Sequence, residues 1–192
     1  MTPKATFLRK ADIAHLIRSA AAITGRTSFV MVGTGAVIAQ LRQVPLALMQ
    51  TREIDIHADG ADGAEDAAAV SDLIDGTIGE GSQFDETFGY YAHGIEEGTA
   101  VLPRDWRARA ARLPLQDQPD VTCICPDVDD IALSKLCAWR EKDRTWLGAA
   151  HAAGLLDLAA IRSRIALLDG LDADAMQEVG RRTDVIAAAA AP

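Results

Sequence analysis

The chain predicts an α/β (α+β) fold, with a small sheet flanked by helices over its first two thirds and a helical C-terminal lobe after it. Three observations predict it. Phe29–Val32 is a short apolar run that meets Gly33-Thr34-Gly35 and passes at once into Ala36–Leu41, a good helix former. Glu53-Ile54-Asp55-Ile56-His57 alternates polar with apolar residues, the period of a half-buried strand. From Asp127 the pattern is helical to the end, punctuated at Gly154 and Asp169-Gly170.

In chain order, Leu8, Ile13, Leu16, Ile17 and Ala20 recur at helical spacing and predict an amphipathic helix over Leu8–Ile23, with Gly25 as its C-terminal cap. His15 beside that stripe reads as a partly buried structural histidine. The glycine turn after Phe29–Val32 opens a helix over residues 35–42 whose N-terminal amides point outward, a ready anion site. A strand runs through Thr51–His57, then a turn-rich loop over Ala58–Gly63 and a helix over Glu65–Ile78 that covers the sheet. Phe88–Ile95 reads as a strand, and Thr99–Leu102 as a second one closed by Pro103. The block Leu102-Pro103-Arg104-Asp105-Trp106-Arg107-Ala108-Arg109 reads as a short helix capping the sheet.

Val121–Cys125 is a further strand. Cys123 and Cys125 share one of its faces with no second Cys or His pair, so they read as buried thiols and not as a zinc site. Asp127-Val128-Asp129-Asp130 supplies a capping acid for a helix over Ile131–Trp139. Leu147–Ala153, Leu155–Leu168 and Leu171–Ile186 are the remaining helices; His151 sits on a helix surface or lobe interface, and Ala187–Pro192 reads as a frayed tail.

A chain of 192 residues, 49% hydrophobic, can bury a proper core. No segment approaches the roughly 18 apolar residues of a membrane span. The first 16 residues scatter charge and have no uninterrupted apolar core, so no signal peptide is expected. Three cysteines make no paired framework, which points to the reducing cytoplasm. A net charge of −9 argues against an extended duplex-binding face, since Lys and Arg supply most of that affinity. Bases concentrate in Arg104–Arg109 and residues 135–144, which leaves room for a local site facing a nucleotide or an RNA end.

Glu53 and Asp55, at i and i+2, stand on one face of their strand and repel each other; a divalent cation is the usual reason to place two acids so. The glycine turn, the helix and a strand carrying this acid pair after Thr51 resemble the nucleotidyltransferases of the DNA polymerase β superfamily. The resemblance is closest to their minimal, abortive-infection-like (AbiEii-type) branch. Gly33-Thr34 matches the turn, and Glu53-x-Asp55 matches the acid pair, with Glu where the first Asp usually sits. Leu102-Pro103 before Trp106 and an Arg is similar to the same branch. So is Asp130-Ile131-Ala132-Leu133-Ser134-Lys135-Leu136 followed by Arg140-Glu141-Lys142-Asp143.

The resemblance implies two-metal transfer of a nucleotidyl group from a nucleoside triphosphate, with Mg²⁺ or Mn²⁺ on Glu53 and Asp55. Glu53, Asp55 and Lys135 are then the catalytic candidates, and Gly33, Thr34, Arg140 and Lys142 the nucleotide-binding ones. Lys135, Trp139 and Lys142 fall near one helical face, and the carboxylates are expected to face a cleft opposite Lys135 or Lys142. A third carboxylate would come from the neighbouring strand, where His93 stands instead; it would serve there as ligand or base, or be a strand-end surface histidine. Glu96 is the weaker substitute, since it falls near a turn.

Two other readings compete. Gly33-x-Gly35 with an acid roughly 20 residues on imitates the dinucleotide-binding fingerprint, but Ile38 stands at its third glycine position and a second acid has no role on a ribose. A catalytically degenerate member of the nucleotidyltransferase fold, acting as a binding or regulatory partner in a toxin–antitoxin-like pair, is the alternative of another class. The expectation is therefore a mixed-sheet nucleotidyltransferase core over residues 1–126 and a helical lobe over 127–192. The acceptor is an RNA end, a protein hydroxyl or a small molecule, and no membrane partner is expected.

Overall fold

A computed structural model describes residues 7–189. The chain divides into two compact units, Met1–Thr99 with Ala111–Cys125, and Ala100–Ala110 with Pro126–Pro192. The segment Ala100–Ala110 thus goes with the C-terminal helices, whereas the sequence places it in the 1–126 body.

The first unit is a five-stranded mixed sheet with four helices, among the described residues. Its elements are α1 (Lys10–Thr24), β1 (Ser28–Val32), α2 (Gly33–Gln40), β2 (Glu53–Ala58), α3 (Ala64–Ile78), α4 (Gln83–Phe88), β3 (Tyr91–Gly94), β4 (Ala111–Pro114) and β5 (Thr122–Cys125). The strand order is β3-β2-β1-β5-β4. β1 runs antiparallel to β2 and parallel to β5, while β2 and β3 are parallel and β4 and β5 antiparallel. As the central strand, β1 buries all of Phe29–Val32, which is why it reads as an unbroken apolar run. The helix α1 buries Ile13, Leu16, Ile17 and Ala20, the predicted stripe. α3 packs on β2 and β3, and α2 on β1, β2 and β5. Cys123 and Cys125 are buried free thiols with their sulfurs 3.9 Å apart.

Two expected strands fail for local reasons. Phe88 does not open a strand; it ends α4, which is capped by the Ser82 hydroxyl accepting from the Asp85 N–H at 3.2 Å. The caps override the strand preference of the aromatics. Phe84 and Phe88 instead gather round His15, whose Nδ1 lies 2.9 Å from the Tyr90 hydroxyl. Thr99–Leu102 is not a strand either. Glu97–Thr99 is a 3-10 turn, and the strand beside β5 is β4, an edge strand that tolerates Arg112 and Pro114.

The second unit holds α5 (Val128–Ala138), α6 (Glu141–Ala152), α7 (Leu158–Arg164) and α8 (Ala173–Ala189). Trp106–Ala108 is a single 3-10 turn within it, and Pro103 bridges to Leu168. Asp127 caps α5 by accepting the Asp130 N–H at 2.8 Å. Asp130 is fully buried, yet Arg109 and Arg164 both reach its carboxylate, at 3.1 Å and 2.9 Å. α5 stops at Trp139, which takes a left-handed φ of 53°. Lys135 and Lys142 therefore lie on two different helices, not on one continuous face. α8 continues to Ala189, through residues expected to fray; residues 190–192, like residues 1–6 of the segment weighed for a signal peptide, lie outside the described part. No helix among the described residues is long and apolar enough to cross a membrane.

Candidate functional site

β2 builds the first unit's site by its two-residue period. Ile54 and Ile56 are fully buried, which turns Glu53 and Asp55 to the opposite side, each half-buried. The Thr51 hydroxyl accepts the Glu53 backbone N–H at 3.2 Å and orders the strand's start. The parallel register sets Tyr91 beside Glu53 and His93 beside Asp55. Tyr91 donates its hydroxyl to Glu53 Oε2 at 2.9 Å, and His93 Nδ1 lies 3.2 Å from Asp55 Oδ1. Burial, then the hydrogen bond and charge of Glu53, pushes the Tyr91 phenol well above the ordinary tyrosine range. A pocket of about 280 Å³ opens here, lined by Glu53, Asp75, Glu80, Tyr91 and His93.

The other side of β2 brings in the glycine turn. The antiparallel register pairs Val32 with Asp55, so the chain leaves β1 beside that carboxylate. Gly33 is the first residue of α2, two residues earlier than the expected start, with φ +67°. A Cβ there would stand 2.9 Å from Asp55 Oδ2. Only glycine combines that backbone with that approach. Thr34 lies half-buried in the first turn of α2. Gly35 answers a different demand, because a Cβ on it would meet Ile54 Cγ2 at 2.8 Å in the core. The antiparallel β1–β2 pair is not the parallel unit of a dinucleotide-binding fold, which removes that reading.

Among the described residues no three His, Cys, Asp or Glu side chains gather as a metal cage. Glu53 and Asp55 nonetheless suit Mg²⁺ as nucleotide enzymes hold it, on one or two carboxylates with substrate phosphates supplying the rest. The place across from Asp55 on β3 holds His93, and Glu96 lies exposed beyond the strand end.

The second unit arranges the downstream bases unequally. Lys135 is mostly buried, its Nζ 3.2 Å from Asp143 Oδ1 and 5.1 Å from the centroid of the Trp146 ring. Arg140, just before α6, donates Nε to Asp143 Oδ2 at 2.7 Å. Lys142 is exposed on the first turn of α6. Burial pushes the Lys135 ammonium down, against the pull of Asp143. Burial opposes ionisation of Asp143 too, but Arg140 and Lys135 together outweigh it and hold the carboxyl low. The asymmetry follows from the neighbours, since Asp143 faces two cations and Lys135 faces one anion with Lys142 and Arg140 nearby.

The first unit thus brings Gly33, Glu53, Asp55 and His93 together, and the second joins Lys135 and Arg140 through Asp143. A family model described as a nucleotidyltransferase of unknown function (DUF6036) matches residues 11–186. The chain belongs to that family. No curated protein and no solved structure matches it. The nucleotidyltransferase match takes in the glycine turn, the acid pair and the Lys135–Asp143 segment alike. Sequence reasoning gave no role to Tyr91, Asp75 or Glu80. The two-residue spacing of Tyr91 and His93, equal to that of Glu53 and Asp55, is the signal that would have found Tyr91.

Proposed function

We propose that this nucleotidyltransferase-family chain transfers a nucleotidyl group from a nucleoside triphosphate to an acceptor hydroxyl, as the minimal AbiEii-type branch does. The observation that carries the reading is the seating of Asp55 Oδ2 against the Gly33 turn, which joins an anion-binding helix start to a metal-type carboxylate. Mg²⁺ or Mn²⁺, held by Asp55 and Glu53, would supply charge neutralisation on the triphosphate. Gly33 and Thr34 present backbone N–H groups to phosphate oxygens. In the second unit Arg140 and Lys142 are the phosphate-binding candidates and Lys135 the catalytic one, with Asp143 holding Lys135 and Arg140 in place. In the reaction the acceptor oxygen bonds to the α-phosphorus, the bond to pyrophosphate breaks, and the acceptor proton passes to solvent or base. The acceptor is an RNA end, a protein hydroxyl or a small molecule, in the cytoplasm, and a toxin–antitoxin-like partner protein fits the same reading.

A second reading is a degenerate member that binds a nucleotide without turning it over. The hydrogen bonds of Tyr91 to Glu53 and of His93 to Asp55, and the histidine at the third acid place, favour it. Incubation with each labelled nucleoside triphosphate, Mg²⁺ or Mn²⁺, and cellular RNA or protein decides between the two. Transfer is expected with wild type and should fall by orders of magnitude in Asp55→Ala. Metal-independent silence in wild type, with full cellular function in Asp55→Ala, would establish the binder.

A further inference from the structure

His93 occupies the strand position directly across from Asp55, and its ring is more than half exposed, at 53%, beside a carboxylate that is 30% exposed. The backbone beneath it is fixed, since Ala92 is fully buried and the Gly94 N–H donates to Asp75 Oδ1 at 2.7 Å. Resting on the nucleotidyl-transfer reading above, we infer that His93 and Asp55 form a mixed nitrogen–oxygen half-site that gives the chain a preference for Mn²⁺ over Mg²⁺.

Spacing is the first argument. Neighbouring ligands of an octahedral ion with bonds of about 2.1 Å stand about 3.0 Å apart. His93 Nδ1 and Asp55 Oδ1 are 3.2 Å apart, so an ion can replace their hydrogen bond with little movement of either chain. Donor chemistry is the second. Mg²⁺ takes oxygen ligands almost alone, whereas imidazole is a good donor to transition metals; Mn²⁺ accepts both this nitrogen and the surrounding carboxylate and phosphate oxygens. Glu53 is the third. Its Oε2 accepts from the Tyr91 hydroxyl, so the two carboxylates of the pair have different β3 partners, a phenol for Glu53 and a metal-binding imidazole for Asp55.

The test uses inorganic triphosphate as probe, because it carries no nitrogen of its own. Mn²⁺ is titrated into full-length protein with triphosphate, the bound ion is followed by electron paramagnetic resonance, and pulsed spectra read out any directly coordinated nitrogen. Wild type is expected to bind Mn²⁺ at least tenfold more tightly than Mg²⁺ and to show the nitrogen coupling. His93→Ala, at an exposed position, should keep the fold and lose both the coupling and the preference. His93→Asp should retain ion binding with the preference tipped towards Mg²⁺. A wild-type Mn²⁺–triphosphate complex without nitrogen coupling, still abolished by Asp55→Ala, overturns this inference and leaves the transferase reading standing. No ion bound in the presence of triphosphate overturns both.

Discussion

Oδ2 of Asp55 occupies the space that a Cβ on Gly33 would need, 2.9 Å away, at a residue whose φ of +67° already disfavours any side chain. Turn and carboxylate are therefore fitted to one another, and a substitution at one is felt at the other. Gly33→Ala is expected to cost about 1–2 kcal/mol of stability through its backbone and to weaken nucleotide binding more than tenfold by displacing Asp55. Gly35→Ala is the contrast. Its Cβ meets Ile54 Cγ2 at 2.8 Å and Met31 Sδ at 3.1 Å, a core overpacking of about 1–3 kcal/mol that should leave nucleotide affinity near wild type in the folded fraction. Denaturant unfolding and nucleotide titration of both variants check this, and equal losses of affinity would break the assignment of Gly33.

Both tyrosines of the chain are shielded. Burial raises the Tyr90 phenol, helped by Asp12, and burial with Glu53 raises that of Tyr91 further. A folded-state value above the unfolded one means that the stability tied to each phenol is whole below the ordinary tyrosine pKa of about 10 and is lost as pH rises beyond it. An alkaline absorbance titration should therefore show no normal tyrosine step, and phenolate should appear together with unfolding. A step near pH 10 in folded Tyr90→Phe protein, where Tyr91 is the tyrosine that remains, would show that Tyr91 does not hold Glu53 as described.

The acid pair and its turn were legible because their signals are local. A two-residue alternation fixes which side Glu53 and Asp55 share, and a glycine after an apolar run marks the turn. α4 was missed although Ser82, Asp85 and Gly89 spell out its caps, because Phe88, Tyr90 and Tyr91 weigh towards a strand. β4 escaped as an edge strand carrying Arg112 and Pro114. The bond of Tyr91 to Glu53 depends on a register between segments 38 residues apart, which no window of sequence contains. Likewise the spacing of Lys135, Trp139 and Lys142 suggested one face, but Trp139 takes a left-handed turn that splits the helix.

That split gives the bases of the second unit different duties. Lys142 is exposed, so Lys142→Ala should change stability by no more than about 0.5 kcal/mol while weakening nucleotide binding several-fold. The loss should shrink at high salt, as an exposed charge is screened. Lys135→Ala should instead lower stability first, since it removes a mostly buried partner of Asp143. Calorimetric nucleotide titrations at two salt concentrations, beside unfolding curves, separate the two. A Lys142→Ala variant with unchanged affinity would remove it from the binding set.

Asp143 is fully buried and accepts from the Arg140 backbone N–H at 3.2 Å, from Arg140 Nε at 2.7 Å and from Lys135 Nζ at 3.2 Å. Asp143→Asn keeps the shape and removes the charge, which leaves Lys135 buried with no anion. A cost of about 3–5 kcal/mol is expected, and Lys135→Met in the same chain should recover part of it, because it removes the buried ammonium left without an anion. The pH dependence has a definite sign. Burial resists ionisation of Asp143, but Arg140 and Lys135 hold its pKa below the ordinary carboxylate value, so its stabilisation is present above that value and is lost as pH falls through the folded one. The stability gap between wild type and Asp143→Asn should therefore be full near neutrality and close progressively below about pH 4. Asp130, raised by burial against Arg109 and Arg164, acts in the opposite sense, and the gap for Asp130→Asn should not close in acid. Urea unfolding across the acid range measures both, and parallel curves for the two variants would overturn the distinction.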